Sequence, residues 1–203
     1  TDESGAFTIT ADEAKIQQVV DGLSEKVNQD AVDATIIQNQ AGKVVRTLVE
    51  GKDKRELGDV SGLATAMAAN LAQGKAALEL PVTVTAHKTT STVRLVEVDL
   101  SAQRLYLKEN GDVIDSWAVS TGRPGAATHP GRFTINYMLR SQDMTGTSRD
   151  TGTKYEQPDV PWVMYFNGNQ ALHGVYWHNN WGTRMSAGCV GMPVERARQL
   201  YDW

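Results

Sequence analysis

The stretch Ala171-Leu172-His173-Gly174-Val175-Tyr176, followed by Ser186-Ala187-Gly188-Cys189-Val190, decides how this chain is read. The first part is a strand candidate carrying a histidine beside a glycine. The second is a small-residue loop holding the only cysteine, sixteen residues after His173. A lone cysteine is, by base rate, more often a small buried hydrophobe than a nucleophile. A thiol attacks carbonyls as thiolate, and a free cysteine has a pKa of about 8.5, so it needs a base or a cationic neighbour. A strand presenting His173 next to a loop presenting Cys189 supplies that pair. Gly188 lets a substrate approach the backbone, and the amides of Gly188 and Cys189 are candidate oxyanion donors.

The other histidines have plainer readings. His178, in Trp177-His178-Asn179-Asn180-Trp181, fits a hydrogen bond among aromatic side chains. His87 and His129 read as exposed loop residues. A metal held by His173 and His178 would lack a nearby carboxylate to complete it, so no metal and no cofactor are expected.

Composition narrows the rest. The chain has 203 residues, 40% of them apolar, which is enough for packed cores in one large domain or two small ones. Its net charge of −4 and the lack of any Lys/Arg run argue against nucleic acid. One cysteine excludes an internal disulfide framework and a multi-cysteine zinc site. The most apolar stretch, Gly62 to Leu80, is interrupted by Asn70, Gln73, Lys75 and Glu79 and does not read as a membrane span. The opening Thr1-Asp2-Glu3 reads as a cut chain, so an export signal or membrane anchor is expected upstream.

The first part of the chain mixes helix and strand. Thr10-Ala11-Asp12-Glu13 reads as a capping box, and Ile16, Val19, Val20, Leu23 and Val27 recur at helical spacing. Val32 to Ile37 and Val44 to Val49 read as strands. Asp59 is expected to cap a second helix burying Leu63, Met67 and Leu71, and Pro81 to Thr85 to leave as a strand. A boundary is expected over Ala86 to Thr92, giving domains 1–88 and 89–203. Beyond it strands dominate. Val96, Val98 and Leu100 alternate, Asn110-Gly111 is a tight hairpin turn, and Val113, Trp117 and Val119 continue the ladder. Ser120 to Gly131 is a Gly/Pro-rich loop, and Phe133 to Leu139 reads as strand. Arg140 to Pro161 is a long polar loop, a length that is usually functional. Trp162 to Phe166 is strand, and Pro193 to Trp203 is helix.

Val96 to Trp203 resembles the catalytic domain of L,D-transpeptidases, the cysteine enzymes that crosslink bacterial peptidoglycan. Four stretches carry the resemblance. They are Val98-Asp99-Leu100-Ser101 with Gln103-Arg104-Leu105-Tyr106; Val119-Ser120-Thr121-Gly122 with Thr128-His129-Pro130-Gly131-Arg132-Phe133; Leu172-His173-Gly174; and Ser186-Ala187-Gly188-Cys189-Val190. The resemblance implies a mostly β catalytic domain with a mixed sheet and Arg140–Pro161 as a lid. It implies Cys189 as nucleophile, His173 as base and Gly188 in the oxyanion site. Ser186, Ala187, His178, Gly174, Trp162 and Tyr165 are expected at the substrate. The substrate would be a tetrapeptide stem, cut between a third-position diamino acid and D-Ala. A thioester on Cys189 would pass its acyl group to the amine of a neighbouring stem. Carbapenem β-lactams are expected as covalent inhibitors, and the setting is extracytoplasmic, at the cell wall.

The family often has His where this chain has Ala187, and Arg or Asn where it has Gly191. His178 is expected to fill the space of the missing imidazole. The family also continues past Tyr201-Asp202-Trp203, so the domain reads as truncated. An L,D-carboxypeptidase and a wall-binding module with a degenerate site are the alternatives. The first part of the chain, an α+β domain, more weakly resembles a peptidoglycan-binding domain, and a spacer is the plainer reading of it.

Overall fold

A computed structural model describes residues 10–75 and 77–203. The chain divides into two compact units, Thr1–Thr92 and Val93–Trp203.

The first unit is α+β. Helices α1 (Glu13–Asp21) and α2 (Leu23–Val27) are separated at Gly22, so the helical periodicity read over Ile16 to Val27 spans two short helices. The cap of α1 is Asp12, which accepts the Lys15 amide at 3.2 Å, rather than Thr10. Strands β1 (Ala34–Gln38) and β2 (Val44–Val49) form an antiparallel hairpin. Strand β3 (Lys54–Leu57) follows, then α3 (Leu63–Ala72), which packs on α1, then β4 (Val82–Thr85), which pairs with β3. Gly62, not Asp59, is the cap of α3; Asp59 instead accepts the Ser61 amide and hydroxyl within the preceding turn. His87 is half-buried rather than an exposed loop residue: Asp53 Oδ1 accepts its amide at 3.0 Å and meets its Nδ1 at 2.7 Å. Strand β5 (Thr89–Asp99) begins inside the stretch expected as a linker.

The second unit is mostly β. Strands β5, β6 (Arg104–Glu109) and β7 (Asp112–Ala118) run antiparallel. Asn110 and Gly111 have φ of 52° and 97°, the left-handed pair that a two-residue hairpin with right-handed twist requires. Strands β8 (Tyr137–Thr147), β9 (Lys154–Asn167), β10 (Gln170–Val175) and β11 (Val190–Pro193) form a four-stranded sheet in the order β11-β10-β9-β8. Its β8–β9–β10 part is antiparallel and its β10–β11 pair parallel, so the sheet is mixed. Helix α4 (Val194–Asp202) follows β11 directly, burying Ala197 and Leu200.

Two expectations are corrected here. The strand read from Phe133 starts at Tyr137, and Arg140–Pro161 is not a loop. It is most of a long β-hairpin, with its turn at residues 148–153.

Side chains alternate across a strand, so the four-stranded sheet has two chemically different faces. Met164, Leu172, Val190 and Met192 join Leu105, Leu107, Trp117, Val119, Ala197 and Leu200 in the main core. Burying each such large side chain contributes about 1.5–3 kcal/mol, which anchors β10 and β11 firmly. The opposite face carries Val163, Tyr165, Ala171 and Cys189.

Candidate active site

That second face opens into a cleft of about 830 Å³, and Cys189 and His173 both line it. Their placement follows from register. In the parallel pair β10–β11, Leu172 lies opposite Val190 and His173 opposite Gly191. Residues two apart share a face, so His173 and Gly191 point the same way, and Cys189 enters β11 on that face. Core packing of Leu172 and Val190 therefore holds the histidine and the cysteine on the side away from the core.

His173 is buried, and burial pushes its pKa below the usual histidine range. Its Nδ1–H donates to the Gly174 carbonyl at 2.9 Å, which leaves Nε2 as the acceptor. The ring stacks on Trp177 at 5.9 Å. Burial raises the Cys189 thiol above the usual range, partly offset by the Ala171 amide. The thiol donates weakly to the Asn169 carbonyl at 3.8 Å. Both shifts favour neutral thiol and neutral imidazole over an ion pair.

The cysteine loop is held by its own serine. Ser186 Oγ donates to the Cys189 carbonyl at 2.6 Å and accepts the Gly188 amide at 3.1 Å. The Gly188 amide, one of the expected oxyanion pair, is engaged by Ser186 in this structure. Gly188 has φ of 129°, and a Cβ there would lie 2.9 Å from Gln170 Nε2.

A buried polar network sets the loop against its neighbours. Thr128 Oγ1 donates to the Gly188 carbonyl at 2.9 Å and accepts the Gly122 amide at 2.9 Å. A Cβ on Gly122 would lie 2.3 Å from the Ala126 carbonyl oxygen, so this turn closes only with glycine. Gln103 is buried; it accepts the Thr121 amide at 2.9 Å and donates to Thr121 Oγ1 at 2.7 Å. Gln170 is buried too, accepting the His129 amide and donating to the Ala127 carbonyl, both at 3.1 Å. Such satisfied buried polar groups fix one arrangement, because breaking any of them leaves an unpaired group away from water.

The β8–β9 hairpin forms one wall, through Met144, Thr147, Arg149, Lys154, Tyr155 and Gln157. Its tip is fastened by Arg123. That guanidinium pairs with Asp150 at 2.8 and 3.2 Å, and donates to Ser148 Oγ at 3.0 Å and the Met185 carbonyl at 2.5 Å. Arg123, with Ser148, holds the Asp150 carboxyl well below the usual carboxylate range.

Of the residues expected at the substrate, Ser186, Ala187 and His178 line the cleft, as does His129. Gly174 and Trp162 do not, because they lie on the other face of the sheet. A Cβ on Gly174 would lie 2.9 Å from Pro161 Cγ and 3.2 Å from Val194 Cα. Trp162 packs on Tyr201, with ring centres 5.2 Å apart. Tyr165 is on the cleft face beneath the lining, where its hydroxyl donates to Gln142 at 2.8 Å. The residues that sequence reasoning missed are Arg123, Gln103, Gln170, Tyr155, Arg149 and Lys154. A buried glutamine has no signature of its own, although Gln103 and Thr128 sat inside stretches already singled out. Among the described residues no group of three or more His, Cys, Asp or Glu is placed to hold a metal, and no helix is long and apolar enough to cross a membrane.

A cysteine and a buried histidine on one face of a mixed sheet, with a glycine-rich turn bonded to the cysteine loop, define a candidate thiol acyltransferase or hydrolase site. Residues 93–203 match the YkuD family model, the L,D-transpeptidase catalytic domain, and the chain belongs to that family. No curated protein matches the chain. Among solved structures it is similar to L,D-transpeptidase 3 from Mycobacterium tuberculosis, at 20% identity and a TM-score of 0.50, over 61% of this chain and 63% of that one. The same protein in complex with a faropenem-derived adduct is similar at 19% identity and a TM-score of 0.50, over 59% of each chain. A cysteine-to-serine mutant of an Enterococcus faecium L,D-transpeptidase is similar at 21% identity and a TM-score of 0.49, over 100% of this chain and 82% of that one. The chain spans less than two thirds of the length of the two mycobacterial chains. At these identities the mycobacterial likeness bears on the fold, which is the mostly β, mixed-sheet fold expected.

Proposed function

We propose that this protein is a peptidoglycan L,D-transpeptidase acting outside the cytoplasm at the cell wall, with Cys189 as nucleophile and His173 as base. The observation that carries the reading is the sharing of one cleft face by Cys189 and His173 on adjacent chain segments, within a region that matches the L,D-transpeptidase catalytic domain.

The donor is a tetrapeptide stem held with the bond between its diamino acid and terminal D-Ala at Cys189. His173 Nε2 takes the thiol proton as sulfur attacks the carbonyl carbon. The Cys189 amide is the candidate donor to the developing oxyanion. Collapse breaks the C–N bond, His173 returns the proton to the leaving D-Ala amine, and the acyl group stays on sulfur as a thioester. The amine of a neighbouring stem then attacks that carbonyl and gives a proton to His173. The thioester bond breaks, and the departing sulfur regains its proton. A buried imidazole beside a thiol at the cleft suits this cycle, since each proton is exchanged within one site. The first unit serves as a wall-binding module or a spacer.

Intact mass after incubation with a carbapenem tests the assignment. An adduct present in the native protein and lost in Cys189→Ala supports it; no adduct under any condition favours a binding module. The faropenem-derived adduct of the mycobacterial protein motivates the choice of probe. Incubation with tetrapeptide stems then separates dimer formation from simple release of D-Ala, which would mark a carboxypeptidase.

A further inference from the structure

The chain carries 24 acidic and 20 basic residues, yet among the described residues no Asp or Glu lines the cleft. Its lining includes Arg123, Arg149 and Lys154. Arg123 is neutralised by Asp150. Arg149 and Lys154 stand at either side of the hairpin tip, exposed, and among the described residues neither side chain has an ion-pair or hydrogen-bond partner. The hairpin carries four acids, Asp143, Asp150, Glu156 and Asp159, and none of them lines the cleft; Asp143 accepts the Asp159 amide at 2.8 Å. Asp150 is paired with Arg123, and Glu156 lies outside the cleft in a neighbouring depression that Lys154 and Tyr155 also line. The rest of the wall is neutral, with Thr147, Thr151, Thr153, Gln157, Asn167 and Asn169 among its members.

We propose that Arg149 and Lys154 are specificity residues for free carboxylates on the donor peptide, so that the cleft selects an anionic stem over the same stem with its carboxyl groups amidated. The proposal rests on the reading of the cleft as a peptide site. A chain of net charge −4 repels anions at long range. A wall with cations and no carboxylate reverses that repulsion locally. Each cation is solvent-exposed and its attraction is screened by salt. Each is therefore worth about three-fold in affinity, and the two together, multiplied, about ten-fold.

The test compares two tetrapeptide stems, one with its carboxyl groups free and one with them as carboxamides. Their dissociation constants are measured with the Cys189→Ala protein, and D-Ala release is measured separately with the native enzyme. The expected result is about ten-fold tighter binding of the carboxylate stem at low salt, shrinking in 0.5 M salt and abolished in Arg149→Gln/Lys154→Gln (magnitudes on the order of exposed ion pairs). Equal binding of the two stems, or a preference surviving in the double variant, overturns the proposal. Preferential binding without D-Ala release upholds it while refuting the transpeptidase assignment. Release from both stems without preference does the reverse. Binding of neither stem overturns both.

Discussion

Ser186 and Cys189 are joined by a hydrogen bond of 2.6 Å from the serine hydroxyl to the cysteine's own carbonyl, while the same hydroxyl accepts the Gly188 amide. One side chain thus sets the backbone on both sides of the peptide bond that presents the thiol. Ser186→Ala removes both contacts and frees the loop to rotate. The expected loss in stability is about 0.5–1.5 kcal/mol. The expected loss in acylation rate is larger, roughly 10–100-fold, because small misplacement of a nucleophile is costly. Ser186→Thr keeps the hydroxyl and should retain most of the rate. Stopped-flow acylation by a β-lactam alongside thermal melting separates the two effects, and equal, small losses in both would show that the serine is merely structural.

The pH dependence follows from two shifts of opposite sign. Burial lowers His173 and raises Cys189, so both shifts favour neutral imidazole and neutral thiol. A rate that needs neutral His173 falls only as pH drops below the ordinary histidine value of about 6.5. It should be flat from about pH 7 to 8, where an unassisted thiol would gain nearly ten-fold per pH unit. Stability carries the same sign. The folded state resists protonation of His173 more than the unfolded chain does, so this contribution is complete above about pH 6.5 and is lost on acidification. Acylation rates and melting temperatures across pH 5–9 check both; a rate that tracks thiolate formation would exclude His173 as base.

How much of this site the sequence displayed depends on the residue. Cys189, His173 and the Thr121-Gly122 turn were legible because each sits in a short stretch whose residue types admit few alternatives. The hairpin wall was not. Most of β8 and the first part of β9 are wetted, so apolar alternation, the usual strand signal, is weak between Arg140 and Pro161. Lys54–Leu57 escaped notice for the same reason. Gly174 and Trp162 were recognisable as notable residues but were placed on the wrong face. Counting by twos from His173 puts Gly174 opposite, against Val194, where its missing side chain serves packing rather than substrate. The three-way clamp by Arg123 joins residues far apart in the chain, and no local pattern announces it.

His178 lines the cleft and packs against Trp181, with ring centres 5.0 Å apart, while its Nδ1 accepts the Asn180 amide at 3.2 Å. It also depresses His173 slightly, the third and smallest influence after burial and the Gly174 hydrogen bond. A second imidazole therefore stands in the cleft of a protein whose cysteine loop has Ala187. His178→Ala should slow acylation by a β-lactam several-fold and shift the acid limb of the pH profile slightly upward. An unchanged rate and profile would reduce His178 to a packing residue between two tryptophans.

Gly191 and Val175 are packed so that position 191 has little room for the Arg or Asn that the family resemblance leads one to expect there. Gly191 sits opposite His173 across the parallel pair, and a Cβ there would lie 2.8 Å from Val175 Cγ2. Val175 is buried and has little room to yield. Gly191→Ala should therefore cost about 1–3 kcal/mol through overpacking. For a chain of this size that is a fall in melting temperature of roughly 2–4 °C per kcal/mol. Val175→Ala alone also destabilises, by loss of buried methyl groups. The double variant should be more stable than the sum of the single losses by at least about 1 kcal/mol, since each change relieves the fault of the other. Gly191→Asn should lose stability in the native background and recover part of it beside Val175→Ala. A double-mutant cycle by thermal melting gives the answer; strict additivity would mean that Val175 does not exclude side chains from position 191, and that the glycine answers to substrate alone.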